Sequence, residues 1–171
     1  MNTKKAFTLI ELLVVIAVIG LLASIVSVAV NSARVKARDV QRKANIKQIQ
    51  TALELYYDAN GAYPPSGGAA SPNSGWSNST DASWNTLQTA LAPYLSTLPH
   101  DPREDASGWP GGGAQSFAYF SLGYGCTQQW YMLVYRLEQA QGPDPGVTAC
   151  NGTVFRYGGA GADTNVKTVG K

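Results

Sequence analysis

The sequence predicts an α+β protein in which one long N-terminal helix packs its second half on a small antiparallel sheet. Two observations carry this. Residues 12–30 hold no charge, and the stretch that follows has no Gly or Pro between residues 32 and 58. Beyond it lie three short runs rich in aromatic and β-branched residues, 116–122, 129–137 and 152–157, each bounded by turn residues. A helix laid on one face of such strands is an α+β arrangement. The chain has 171 residues, enough for one domain and an appendage. Only 14% of them are charged, against about 25% in an average soluble protein. A formal charge of +2 is too balanced for a strongly basic nucleic-acid binder. One His and two Cys leave too few ligands for a zinc site.

The apolar run 12–30 is 19 residues long, within the roughly 17–25 that span a bilayer as a helix. A secretory signal has a shorter core of about 7–15 residues. A cut after Ala29 is nonetheless one reading, since Ser27-Val28-Ala29 is small-x-small. A buried core helix fails because no other segment is apolar enough to cover it. A plain membrane anchor is the serious alternative. Against it stands Glu11 at the edge of the run, since a carboxylate costs about 2.5–3.5 kcal/mol at mid-membrane, less near the surface. No basic residue follows within two helical turns. An α-amine freed by cleavage just upstream would be a suitable cation.

Ala, Lys, Arg, Gln and Leu, all good helix formers, dominate the next stretch. Ile46, Ile49, Leu53 and Tyr56 are spaced three, four and three apart and form one apolar stripe. Asn60-Gly61, with Pro64 and Pro65 beyond, is a stop signal. A helix from Phe7 to Asp58 would be about 78 Å long. Gly20 is its one helix-weakening residue, read equally as a point of unwinding or of close packing. The basic cluster Arg34, Lys36, Arg38, Arg42, Lys43 and Lys47 is first of all a solvated face. Attraction to anionic lipid and pairing with acidic residues of a neighbouring subunit are the two functional readings. DNA binding is unsupported, because the cluster lacks interleaved aromatics.

Residues 61–115 are rich in Gly, Pro, Ser and Asn. A short helix should interrupt them, with Ser83 as N-cap, Trp84, Leu87 and Leu91 on one face, and Pro93 after its end. Residues 98–102 then read as a turn. The strands follow. Catalysis has no support: there is no G-x-S-x-G, Walker loop or metal-ligand spacing, and His100 sits in a Pro-rich turn. Asp163, in a Gly-rich segment, offers one carboxylate, far too little for calcium. Asn78-Ser79-Thr80 and Asn151-Gly152-Thr153 match the N-glycosylation pattern.

Lys4-Lys5-Ala6-Phe7-Thr8-Leu9-Ile10-Glu11-Leu12-Leu13 resembles the leader junction of type IV pilins and type II secretion pseudopilins. The resemblance covers about the first third of the chain and implies the pilin fold. It implies a leader of residues 1–6 removed by prepilin peptidase between Ala6 and Phe7, with N-methylation of Phe7. The family has Gly where this chain has Ala6. Glu11 would then pair with the Phe amine of a neighbouring subunit during assembly. Loss of Lys4 and Lys5 would cancel the +2 charge, so that subunits packing side by side repel little. The implied domains are 1–6, a transmembrane and assembly half-helix 7–33, an amphipathic half-helix 34–60 and a head 61–171. The implied partners are the protein itself in a filament, prepilin peptidase, an inner-membrane assembly platform, and lipid before assembly.

The positive-inside rule counts more Lys and Arg after the span than before it, which would put the head in the cytoplasm. The resemblance puts it outside, in a surface pilus or periplasmic pseudopilus. In an exported head Cys126 and Cys150 suggest one disulfide, and pilins commonly staple their C-terminal loop this way. Closing a loop of roughly 25 residues is worth about 3 kcal/mol. Free buried thiols would suit a cytosolic protein. Leu98-Pro99-His100-Asp101-Pro102 resembles the L-P-x-D-P turn of major pseudopilins, and Phe120-Ser121-Leu122-Gly123 their F-S-L-G strand end. Those proteins continue with Ala-Asp and bind calcium nearby. This chain continues Tyr124-Gly125-Cys126, so no calcium is expected, and no other cofactor. The expected function is a non-enzymatic subunit of a type IV pilus-like filament. The alternatives are a pseudopilin of a type II secretion system and, in another class, a membrane-anchored or secreted binding module.

Overall fold

The computed structural model describes residues 8–67, 75–104, 108–139, 142–158 and 164–171. Helix α1 is continuous over Leu9–Asn60 and runs through Gly20 without a break. It stops where the sequence predicts. Gly61 takes the left-handed conformation, φ +69°, that a side chain resists. Its N–H donates to the Tyr57 carbonyl at 2.7 Å, and Asn60 Nδ2 donates to Tyr56 O at 2.8 Å.

The chain divides into two compact units between Ala37 and Arg38. In the first, every described residue of the apolar run is exposed, from Leu9 at 81% to Val30 at 42%. In the second, α1 buries the apolar stripe: Ile46, Ile49 and Leu53 are sealed in the core and Tyr56 is half-buried.

The sheet has four strands in the order β1 (Ser77–Asn78), β2 (Phe117–Phe120), β3 (Met132–Arg136) and β6 (Val166–Gly170), every neighbour antiparallel. Alternation along a strand sends successive side chains to opposite faces. Phe117, Tyr119, Tyr131, Leu133 and Tyr135 meet α1. Helix α2 (Ser83–Leu91) lays Trp84, Leu87 and Leu91 on the same core, as the spacing predicts. The opposite face carries Phe120, Met132 and Val134. It is covered by the hairpin β4 (Val147–Thr148) and β5 (Val154–Phe155) and by Trp76, Trp109 and Tyr157.

Two expectations change, and one strand has no sequence expectation behind it. Ser83 is not the cap of α2 but its buried first residue; Ala82 holds the cap position without a side-chain cap bond, and Asp81 Oδ1, one residue before it, accepts the Ser83 N–H at 2.8 Å. The run 152–157 adds no strand to the main sheet, since its two extended residues pair only with β4. The edge strand β6 is Val-Lys-Thr-Val-Gly, whose Lys and Thr carry no apolar alternation to reveal it. It exists because five register pairs join it to β3, from Met132↔Gly170 to Arg136↔Val166.

Candidate functional site

The first turn of α1 holds Glu11 in a reciprocal cap. Thr8 donates to Glu11 Oε2 from its backbone N at 2.8 Å and from its hydroxyl at 2.7 Å. The Glu11 N–H returns a bond of 3.3 Å to Thr8 Oγ1. Thr8-Leu9-Ile10-Glu11 is thus a capping box, Ser/Thr-x-x-Glu at the N-terminus of a helix. The carboxylate also lies at the positive end of the helix dipole. Glu11 therefore serves its own helix within one chain, and a cation brought to it meets a fixed, exposed acceptor. Ala6 and Phe7 lie outside the described residues. Downstream of Glu11 the helix has the length and composition to cross a membrane.

At the start of the amphipathic half lies a cluster that the sequence reading missed. Arg42 is completely buried. It forks onto Asp101, Nε to Oδ2 at 2.7 Å and Nη2 to Oδ1 at 2.9 Å. Its Nη1 donates to Asp39 Oδ1 at 2.8 Å and to Glu138 Oε1 at 2.7 Å. Arg38 grips Glu138 through two bonds of 2.6 and 2.5 Å, and Arg103 adds one of 3.0 Å. Asp39 also accepts the backbone N–H groups of Glu138 and Gln139 at 2.9 and 3.0 Å. Three arginines thus face three carboxylates. Hydrogen bonds from Arg38 hold the Glu138 carboxyl down at about 2, assisted by Arg42 and Arg103 and opposed by burial. Burial alone would lower the Arg42 pKa, but bonds to Asp101 and Glu138 outweigh it and the net shift is upward.

The basic cluster is therefore only partly a solvated face: Arg34, Lys36 and Lys47 are exposed, whereas Arg38 and Arg42 bind carboxylates of their own chain. The signal was present. Asp39, Arg42, Ile46, Ile49 and Leu53 are spaced three, four, three and four, so two charges continue the apolar stripe into core positions. A buried charge needs a partner, and the Asp of the L-P-x-D-P turn is one of them.

The C-terminal region is tied down twice. Cys126 and Cys150 form a disulfide with Cα atoms 5.9 Å apart, joining the β2–β3 turn to the β4–β5 hairpin. Asp144, nearly sealed, accepts Thr168 N–H at 2.6 Å, Thr168 Oγ1–H at 2.7 Å, Gly158 N–H at 3.0 Å and Gly146 N–H at 3.2 Å. The Thr168 bond satisfies a backbone donor on the open edge of β6, an edge that would otherwise template pairing with another chain.

His100 is exposed, with Nδ1 2.7 Å from Glu104. Among the described residues no group of three or more His, Cys, Asp or Glu is arranged to hold a metal ion. Asp163 lies outside the described residues. An open groove of about 400 Å³ runs between α1 and Tyr94–Leu95, lined by Ala44, Gln48 and Ala52 and without an acid–base pair.

The family described as the prokaryotic N-terminal methylation motif matches residues 1–27. The chain is also 36% identical over 101 residues to type II secretion system core protein G of Pseudomonas aeruginosa, covering 58% of this chain and 68% of the relative. The chain belongs to the type IV pilin and type II secretion pseudopilin family. No solved structure matches. The pilin-like layout accounts for both ends of α1: an exposed apolar helix headed by a carboxylate, and an amphipathic continuation seated on an antiparallel sheet. The family is a structural one.

Proposed function

We propose that this chain is a structural subunit of a type IV pilus-like filament, inserted in the membrane, cut between Ala6 and Phe7, N-methylated on Phe7 and polymerised through residues 7–33. The observation that carries the reading is the exposed apolar run of α1, with Glu11 at its head. Apolar area on this scale is unstable in water and must be covered by lipid before assembly and by other copies after it. A heterologous contact of this kind does not close on itself and so generates an open filament. Glu11 accepts the Phe7 amine of the neighbouring copy, and Thr8 keeps the carboxylate oriented until the amine arrives. Residues 34–60 carry the head, 61–171, which lies outside the cytoplasm. The disulfide supports that location, against the count of flanking Lys and Arg. The partners are further copies of the chain, prepilin peptidase and an inner-membrane assembly platform.

A second reading, a pseudopilin of a type II secretion system, is favoured by the similarity to core protein G and by the L-P-x-D-P turn. Electron microscopy separates the two: long surface fibres belong to a pilus, and a short periplasmic filament to a pseudopilus.

N-terminal sequencing of the mature chain should begin at methylated Phe7; a chain that begins at Val30 makes this a secreted domain. Glu11→Ala should be processed normally yet enter filaments at least about tenfold less, the effect of losing roughly 1.4 kcal/mol of pairing per subunit. Abundant normal filaments from that variant would sink the assembly role of Glu11.

A further inference from the structure

The two N-glycosylation patterns, indistinguishable in sequence, are separated by the fold. Asn78 lies in β1 and is completely buried. Its Nδ2 donates to Gly108 O at 3.0 Å, and its Oδ1 accepts the Thr80 N–H and hydroxyl at 3.0 and 2.9 Å. Ser79 is buried as well. A sugar on that nitrogen would break β1 away from β2. Asn151 is the opposite case. Residues 150–154, at the tip of the β4–β5 hairpin, are all exposed. The Asn151 carbonyl Oδ1 accepts the Thr153 N–H at 3.0 Å, while its Nδ2 donates to no described residue. The oxygen is engaged and the nitrogen has no partner among the described residues, so the nitrogen is the atom left open to an electrophile. A side chain's worth of open space surrounds the intervening Gly152. Two large apolar side chains stand exposed beside the site, Tyr124 at 41% and Val154 at 52%, and Tyr124 O accepts the Asn151 N–H at 3.0 Å. The C–H faces of a sugar cover such surface well.

We propose that Asn151 is an N-glycosylation site, and that Asn78 is not one. The donor is a lipid-diphosphate-linked oligosaccharide. Asn151 Nδ2 attacks the anomeric carbon; the N–C bond forms, the C–O bond to the diphosphate breaks, the lipid diphosphate leaves with the electron pair, and the amide proton passes to a base of the transferase. The product is a bulky, solubilising surface group on the hairpin tip. The proposal rests on the export of the head.

The test is site-localised mass spectrometry of the full chain purified from its native membrane and filament fractions. The peptide with Asn151 should carry a mass increment of whole sugar residues, and the peptide with Asn78 none. Asn151→Gln and Thr153→Ala should lose the increment, and Thr153→Ser should keep it. A bare Asn151 in a chain that starts at Phe7 and holds its disulfide overturns the glycan while leaving export intact. A bare Asn151 in an uncut chain with free thiols overturns both. Sugar on Asn78 overturns the discrimination by burial.

Discussion

Arg42 occupies a core position of α1 and is as buried as the isoleucines that follow it. Breaking a buried ion pair by removing one partner leaves the other charges desolvated and costs about 3–5 kcal/mol. Arg42→Ala should therefore lower the unfolding free energy of the head by that much, read as a lower urea midpoint at unchanged slope. Arg42→Lys should rescue little of it, since an ammonium cannot reproduce the fork onto Asp101. A loss under about 1 kcal/mol would mean that water enters and solvates the cluster. Glu138 adds a pH dependence. Its carboxyl is held at about 2 in the folded chain against an ordinary value of 4.5. A depressed folded pKa contributes stability that is fully present above the ordinary value and is lost as pH falls through the folded one. The urea midpoint should hold down to about pH 5 and then decline toward pH 2, and Glu138→Gln should flatten part of that decline. An identical decline in the variant would detach the carboxyl from it. Glu11 and Arg42 were unequally legible. Glu11 interrupts an apolar run and draws the eye, whereas Arg42 hides among basic neighbours, and only its register with Ile46 and Ile49 sets it apart.

At the scale of elements, the main sheet is covered on both faces by different means. One face has α1 and α2, whose apolar spacing is plain in the sequence. Among the described residues the other has a hairpin of two-residue strands and scattered aromatics, among them Trp130 stacked on Phe155 with ring centres 5.6 Å apart. So little regular structure needs a covalent tie. Breaking the Cys126–Cys150 bridge, which spans 24 residues, should cost about 3 kcal/mol. The paired Cys126→Ser, Cys150→Ser variant should show it as a lower thermal midpoint with near-native α1 content, and reductant should shift the parent chain equally. A reductant-insensitive midpoint would show that packing alone holds the hairpin. The elements missed in the sequence share a cause. Strands β1 and β4 are two residues each, too short to display a period. Strand β6 is set by its register with β3 and by Asp144 at its outer edge, neither of which is local in sequence.

On the scale of the whole molecule, apolar exposure is concentrated in the first unit, where Leu9, Ile10, Leu21 and Val28 exceed 60%. The second unit closes its own core. A chain of residues 31–171 should therefore be soluble without detergent, monomeric, and unable to enter filaments, by analytical ultracentrifugation and co-assembly with the full chain. Aggregation of that fragment would place an assembly surface on the head. The sequence by itself determined the α+β class, the apolar half-helix, the course of α1, its stop at Asn60-Gly61 and the family, because each is written in local periodicity, in capping chemistry or in a contiguous motif. Only the tertiary structure decided that Arg38, Arg42 and Arg103 meet Asp39, Asp101 and Glu138 in one charge-balanced cluster, that β6 closes the sheet, and that Asn78 is buried while Asn151 is open. Those outcomes depend on which distant residues meet, up to 100 positions apart for Arg38 and Glu138. A charge or an amide has the same letter in the sequence whether the fold hides it among partners or leaves it in water.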